Sequence, residues 1–235
     1  MKKILKRIFY TLPASYTLMF HHIDGGNILQ KSGCVLKLDK FIEILDSGME
    51  FIDADTFSSF SRKNKNKALI TFDDGLADVF LVAYPELKKR NIPFTIFIIT
   101  DFLDTPGYIK TEQLIELSND PLVTVGSHGL SHEVLKNMPS DRQLNEILDS
   151  KKRLESILNR PIKYFAYSHG QYDDNTLDIL KRERCYSFAF GVAGYPTNIY
   201  TRSWKYHLPR LNCENNSMHF RIVDDKKARK TIKFN

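Results

Sequence analysis

Short apolar runs alternate with segments of helical period along most of this chain, and no other feature of the sequence restricts its fold as much. Strands are expected over residues 16–20, 68–72, 94–99, 122–125, 164–167 and 187–190. Between them, residues 38–45, 77–90, 141–158 and 173–184 read as helices. The 141–158 segment places Leu144, Ile147, Leu148, Leu154, Ile157 and Leu158 on one face, and Ser140 with Gln143 fits a capping box at its start. Strands separated by helices run parallel, each covered by the helix that follows it, in an open sheet or a closed barrel. The 235 residues fit one such domain. No Gly-x-Gly-x-x-Gly follows the early strands, so a dinucleotide-binding arrangement has no support.

The runs end in polar clusters. His21 and His22 follow the first, Asp73 and Asp74 the second, His128 and His132 the fourth, and Ser168-His169-Gly170 the fifth. In parallel α/β folds the C-terminal strand ends meet on one face, where ligands bind. The stretch ALITFDDG (68–75) is the sharpest case, because adjacent carboxylates beside a buried strand are costly unless something compensates them. One of the pair can ligate a cation while its neighbour acts as general base on the attacking water. The competing reading is a helix cap, with Asp74 or Asp78 capping the 77–90 helix, and it accounts for only one aspartate. In GSHGLSH (126–132), His128 and His132 are four apart and face the same way if the turn is helical. Two histidines and an aspartate with open positions suit a catalytic metal, either hydrolytic or of the non-haem iron type. The second aspartate favours hydrolysis.

The net charge of +6 permits an anionic partner, but no basic block is interleaved with aromatics and no zinc-finger or RNA-recognition signature occurs, so nucleic acid is not expected. Three widely spaced cysteines (Cys34, Cys185, Cys213) make no disulfide framework and point to a reducing compartment. Residues 1–15 place Ile4, Leu5, Ile8 and Phe9 among Lys2, Lys3, Lys6 and Arg7 but lack a signal-peptide cleavage pattern. That segment is either a plain helix or one making peripheral contact with an anionic membrane surface. A cytoplasmic location is the expectation, either free or at the inner membrane face, with export as its competitor. Residues 223–235 read as a solvated basic tail, which leaves 16–222 as the single folded domain.

The motifs TFDDG (71–75), HGLSH (128–132) and FAYSHG (165–170) occur in the order and spacing of the polysaccharide deacetylases (carbohydrate esterase family 4, the NodB-homology domain), which this chain resembles over roughly residues 16–212. The resemblance implies a distorted, incomplete (β/α)7-type barrel and a divalent metal, zinc first, with cobalt, nickel and manganese compatible. The implied reaction is hydrolysis of an acetyl group from an N-acetylated sugar or glycan. It casts Asp73 as general base, Asp74, His128 and His132 as metal ligands, and the His169 amide as an oxyanion donor. The usual threonine of the second motif is Gly129 here, which loosens that turn. The usual third-motif arginine is Ala166, and Arg210 either replaces it or makes a surface salt bridge. The late general-acid motif is missing, and His21 resembles the early histidine of a circularly permuted subgroup, with His169 and His207 as alternatives and His22 as a structural residue. An O-acetyl esterase, another amidohydrolase or a non-catalytic glycan-binding domain are the competing functions.

Overall fold

A computed structural model of the chain describes residues 15–24, 34–58, 67–192 and 205–214, and the backbone of 219–222 and 230–233. Seven parallel strands run in the order β10-β1-β5-β6-β7-β8-β9: Leu211–Asn212, Tyr16–Phe20, Lys67–Phe72, Phe94–Ile98, Val123–Ser127, Tyr164–Ala166 and Phe188–Phe190. A short strand β4 (Glu50–Phe51) adds to the start of β5, and β2 (His22–Asp24) pairs with β3 (Val35–Lys37) apart from the main sheet. The sheet curls until its two ends nearly meet. Leu208 bridges Phe190 on β9, and three residues later Leu211 pairs with Leu18 on β1. The architecture is therefore an incomplete (β/α) barrel in one domain.

Side-chain parity divides the core in two. Along β5, Ala68, Ile70 and Phe72 belong to a large cluster shared with the helices, whereas Leu69 belongs to a smaller one with Phe97, Tyr164, Ala166, Phe190 and Leu208. The smaller cluster contains no residue of the long helices and fills the inside of the curl, as successive side chains of a strand point to opposite faces. Helix α2 (Ala54–Ser58) contributes Ala54 and Phe57 to it, while Asp55 accepts hydrogen bonds from Tyr164 and Lys163 beside the start of β8. That helix plugs the N-terminal end. The open end is the one where the strands finish.

Outside the curl pack α1 (Leu38–Leu45), α3 (Tyr84–Lys89), α4 (Thr111–Asn119), α5 (Ser140–Leu158) and α6 (Asp174–Glu183). Each such apolar side chain removed from water contributes about 1.5–3 kcal/mol. Residues 79–83 wind as one π-helical segment before α3, so the single helix expected over 77–90 is a composite. Asp78 does not cap it, as its carboxylate instead accepts from His22 Nδ1 at 2.9 Å and the Ile23 amide at 3.1 Å.

The capping box expected at Ser140 is also absent. Ser140 is the first helical residue and its hydroxyl bonds Asn175, while Gln143 donates to the Met138 carbonyl at 2.9 Å and accepts from Thr176 at 2.7 Å. Helix α5 accordingly buries Gln143, Glu146, Ile147, Ser150, Leu154 and Leu158, leaving Leu144, Leu148 and Ile157 half-buried. Its inward face is rotated toward polar residues that find partners there. By contrast Asp173 caps α6, accepting from the Thr176 amide at 3.0 Å.

The basic segment read over 1–15 lies outside the described residues except for Ser15, and so does 223–229 of the tail, whereas the backbone of 230–233 pairs antiparallel with 219–222. No helix among the described residues is long and apolar enough to cross a membrane.

Candidate active site

The strand registers bring the polar clusters to one rim. Phe20 lies opposite Phe72, and the Asp73 amide donates to the Phe20 carbonyl at 2.9 Å, which sets His21 beside the aspartates. Ile98 lies opposite Ser127, and the His128 amide donates to the Ile98 carbonyl at 2.8 Å.

Asp73 continues the parity of Leu69 and Thr71, so it points into the curl, where it is 2% exposed. Arg210, wholly buried, meets it with both terminal nitrogens, at 2.5 Å to Oδ1 and 2.7 Å to Oδ2. The guanidinium is held in turn by the Gly191 carbonyl at 3.0 Å and lies 5.4 Å from the Phe97 ring centre. A planar fork of this kind fixes a carboxylate in orientation as well as charge. Burial pushes the Asp73 carboxyl up, but Arg210 together with His128 and His21 pulls it below the ordinary carboxylate range. Arg210 is thus an interior partner of Asp73, and the surface salt bridge is ruled out.

Asp74 turns the other way because its backbone is left-handed, with φ 70°, followed by Gly75 at φ 72°. Its Oδ1 lies 3.4 Å from His128 Nε2 and 3.3 Å from His132 Nε2. That oxygen is buried and has no hydrogen-bond partner among the described residues, a costly state in a protein interior. His128 Nδ1 lies 2.8 Å from the Ala166 carbonyl, which can only accept, so Nδ1 carries a proton and Nε2 is the nitrogen that faces Asp74. Burial, His128 and His169 lower the His132 imidazole to about 4, leaving it neutral at neutral pH. One orphaned carboxylate oxygen and two imidazole nitrogens form a donor set that suits a divalent cation such as zinc.

His132 and His169 also have left-handed backbones, φ 66° and 56°, and their rings stack with centres 4.4 Å apart. Left-handed φ values outside glycine cost energy and gather where surrounding structure enforces them for function. The turn that carries His169 is closed by the Gly170 amide, which donates to the Tyr167 carbonyl at 2.8 Å.

The Gly129 turn is not loose. Glu146 of α5 accepts from the Leu130 amide at 2.7 Å, the Ser131 amide at 3.2 Å and the Ser131 hydroxyl at 2.6 Å. Gly129 has φ 85°, and a Cβ there would sit 2.9 Å from the Glu146 carboxylate. Glycine is what lets the carboxylate approach, so the loop carrying both histidines is clamped from the helix side. Sequence reasoning missed Glu146, although a charged residue between the apolar positions of α5 was a usable signal.

His21 is engaged by Glu214, which lies just beyond β10. The carboxylate accepts from the His21 amide and, at 2.8 Å, from Nδ1. Burial alone lowers the imidazole, but Glu214, Asp73 and Asp74 outweigh it and raise it from 6.5 to about 9. His21 is therefore cationic at neutral pH. His207 instead shares a hydrogen bond with Tyr172 at 2.9 Å and is lowered by burial and Lys181, which leaves it a poor proton donor. Glu214 carried no sequence signal, since its partner lies 193 positions away.

Comparison with known proteins agrees with this geometry. The polysaccharide deacetylase family model matches residues 61–185. The chain is 30% identical over 184 residues to YxkH of Bacillus subtilis (strain 168), which is named for that family, with 76% of this chain and 64% of that protein covered. It is 25% identical over 178 residues to the poly-beta-1,6-N-acetyl-D-glucosamine N-deacetylase of Staphylococcus aureus (strain MSSA476), covering 69% and 60%. The chain thus spans somewhat less than two thirds of the length of these relatives. Among solved structures, the Streptococcus pyogenes deacetylase PplD in complex with acetate shares the fold, with a TM-score of 0.71 at 24% identity over 84% of this chain and 91% of that one. With its two aspartates and two histidines on the rim of an incomplete barrel, the chain belongs to the polysaccharide deacetylase family.

Proposed function

We propose that the chain is a divalent-metal-dependent N-deacetylase acting on an N-acetylated hexosamine in a glycan or glycan precursor. The observation that carries this reading is the separation of charge at the rim. Asp73 is locked as an anion by Arg210, Asp74 offers an orphaned oxygen beside the imidazoles of His128 and His132, and His21 is held as a cation by Glu214. A hydrolase that splits an amide needs a base, an electrophile and an acid, and the three are distinct here.

Asp74, His128 and His132 are the residues that would hold the metal, and a cation bound there supplies a Lewis acid for the acetyl carbonyl and acidifies the attacking water. Asp73, unable to turn because both its oxygens are bridged to Arg210, takes the proton of that water as its oxygen adds to the carbonyl carbon. The His169 N–H donates to the oxygen on which negative charge develops. His21 then gives its proton to the sugar nitrogen as the carbon–nitrogen bond breaks. Acetic acid and the free amine are formed and leave as acetate and ammonium once the acid's proton passes to the amine, while one proton has entered at Asp73 and one has left from His21. The early position of His21, at the end of the first strand, supports the permuted arrangement of the family.

The Staphylococcus aureus relative is named for poly-beta-1,6-N-acetyl-D-glucosamine. Oligomers of that sugar are therefore the first substrate to offer the zinc- or cobalt-loaded protein, with free acetate and new primary amine as the readouts. Equal release of both supports N-deacetylation. Acetate released only from O-acetylated glycans, or none from any N-acetylated oligosaccharide, contradicts it.

A further inference from the structure

We propose that His21, Cys34 and Glu214 form a second divalent-cation site, distinct from the Asp74–His128–His132 cluster, and that its occupation silences the proton donor. The silencing rests on the role given to His21 above, whereas the site itself does not. One ligand atom from each residue lies within 4.8 Å of the others, a spread that small side-chain movements close onto one ion. Two sheet registers build the group. Pairing of β2 with β3 brings Cys34 alongside, its carbonyl accepting from the His22 amide at 3.3 Å. Pairing of β10 with β1 brings Glu214, since Met19 lies opposite Asn212 and the Cys213 amide donates to the Met19 carbonyl at 3.0 Å.

The chemistry of the donors suits a borderline cation. Thiolate, imidazole and carboxylate together match zinc or cobalt and disfavour magnesium or calcium, which take oxygen ligands. Glu214 is almost wholly buried, whereas His21 is 18% exposed, which leaves an approach from solvent. In the metal-free protein a proton bridges His21 and Glu214, and the Cys34 thiol bonds the same carboxylate. A cation entering there releases the imidazolium proton and the thiol proton, so that two negative ligands and one neutral one balance its charge. An imidazole bound to metal through one nitrogen keeps only the N–H of the other, a far weaker acid than imidazolium, and so protonates a departing amine poorly. Excess metal would therefore inhibit an enzyme that needs metal.

Cobalt(II) titrated into the metal-free full chain is the test. Two bound equivalents are expected, one of them with a thiolate-to-cobalt charge-transfer band in the near ultraviolet, because the Asp74 cluster contains no sulfur. Cys34→Ser should lose the band and one equivalent, whereas Cys185→Ser should keep both. A band that survives Cys34→Ser, or binding without any band, overturns the site. A single equivalent that carries the band and vanishes in Cys34→Ser supports this site and counts against the Asp74 cluster instead. Acetate release, each variant compared with its own rate at one equivalent of zinc, should fall roughly 10²-fold or more in excess zinc for the wild type and hold for Cys34→Ser. Equal inhibition of both overturns the silencing.

Discussion

Asp73 reaches the barrel interior because it continues the parity of Leu69 and Thr71, and a one-residue slip would send it among the helix-facing Phe20, Phe72 and Phe94. Asp74, its neighbour, escapes that parity only through a left-handed backbone. His21 is the residue whose chemistry is easiest to measure. In metal-free protein its ring should titrate near pH 9 by NMR, and Glu214→Gln should return it toward 6.5. The folded-state value lies above the ordinary one, so the pair's stabilisation is complete below pH 6.5 and disappears as pH rises through about 9, and denaturant midpoints should follow that trend. A wild-type ring titrating near 6.5 would contradict the pairing. The aspartates and the two histidines were legible from their short spacings. Glu214 was not, because a hydrogen bond spanning 193 positions leaves no local pattern.

At the scale of elements, α5 and the loop after β7 act together. Glu146 fixes Leu130 and Ser131, and through them the placing of His128 and His132. Glu146→Gln keeps the shape but weakens the clamp, so metal affinity should fall about 10–100-fold with little change in helix content, as read by competition with a chelator. Unchanged affinity would mean that the loop holds itself. β7 has a comparable constraint at Gly126, where a Cβ would lie 2.5 Å from the Phe97 ring and 3.0 Å from the Tyr164 carbonyl. Gly126→Ala should cost about 1–3 kcal/mol in a denaturant titration. The six strands and four helices expected from periodicity lie within a few residues of those observed, because each carries enough apolar residues to mark its extent. What periodicity could not give was the orientation of α5, which polar contacts to Met138, Thr176 and the histidine loop decide. The short pieces β2, β3, β4 and α2 carry too few residues to show a period, and α4 (Thr111–Asn119) was missed as well.

Over the whole molecule, the barrel closes through 208–212, the same segment that delivers Arg210 to Asp73. The link between β5 and the closing segment thus includes a buried ion pair beside the apolar cluster that holds Leu69 and Leu208. Removing one partner of such a pair costs about 3–5 kcal/mol, whereas replacing both with apolar residues is often neutral. Arg210→Met should destabilise by that amount, and Asp73→Leu combined with Arg210→Met should recover most of it while remaining inactive. Recovery would mean the pair is kept for orienting the base, since apolar residues serve the fold as well. Equal destabilisation of the single and double variants would make it a structural clasp. The most direct measurement of the central claim is acetate release by Asp73→Asn loaded with zinc, with bound metal quantified in the same sample. Metal content should match the wild type while turnover falls about 10²–10⁴-fold. Full turnover with metal bound would show that Asp73 is not the base.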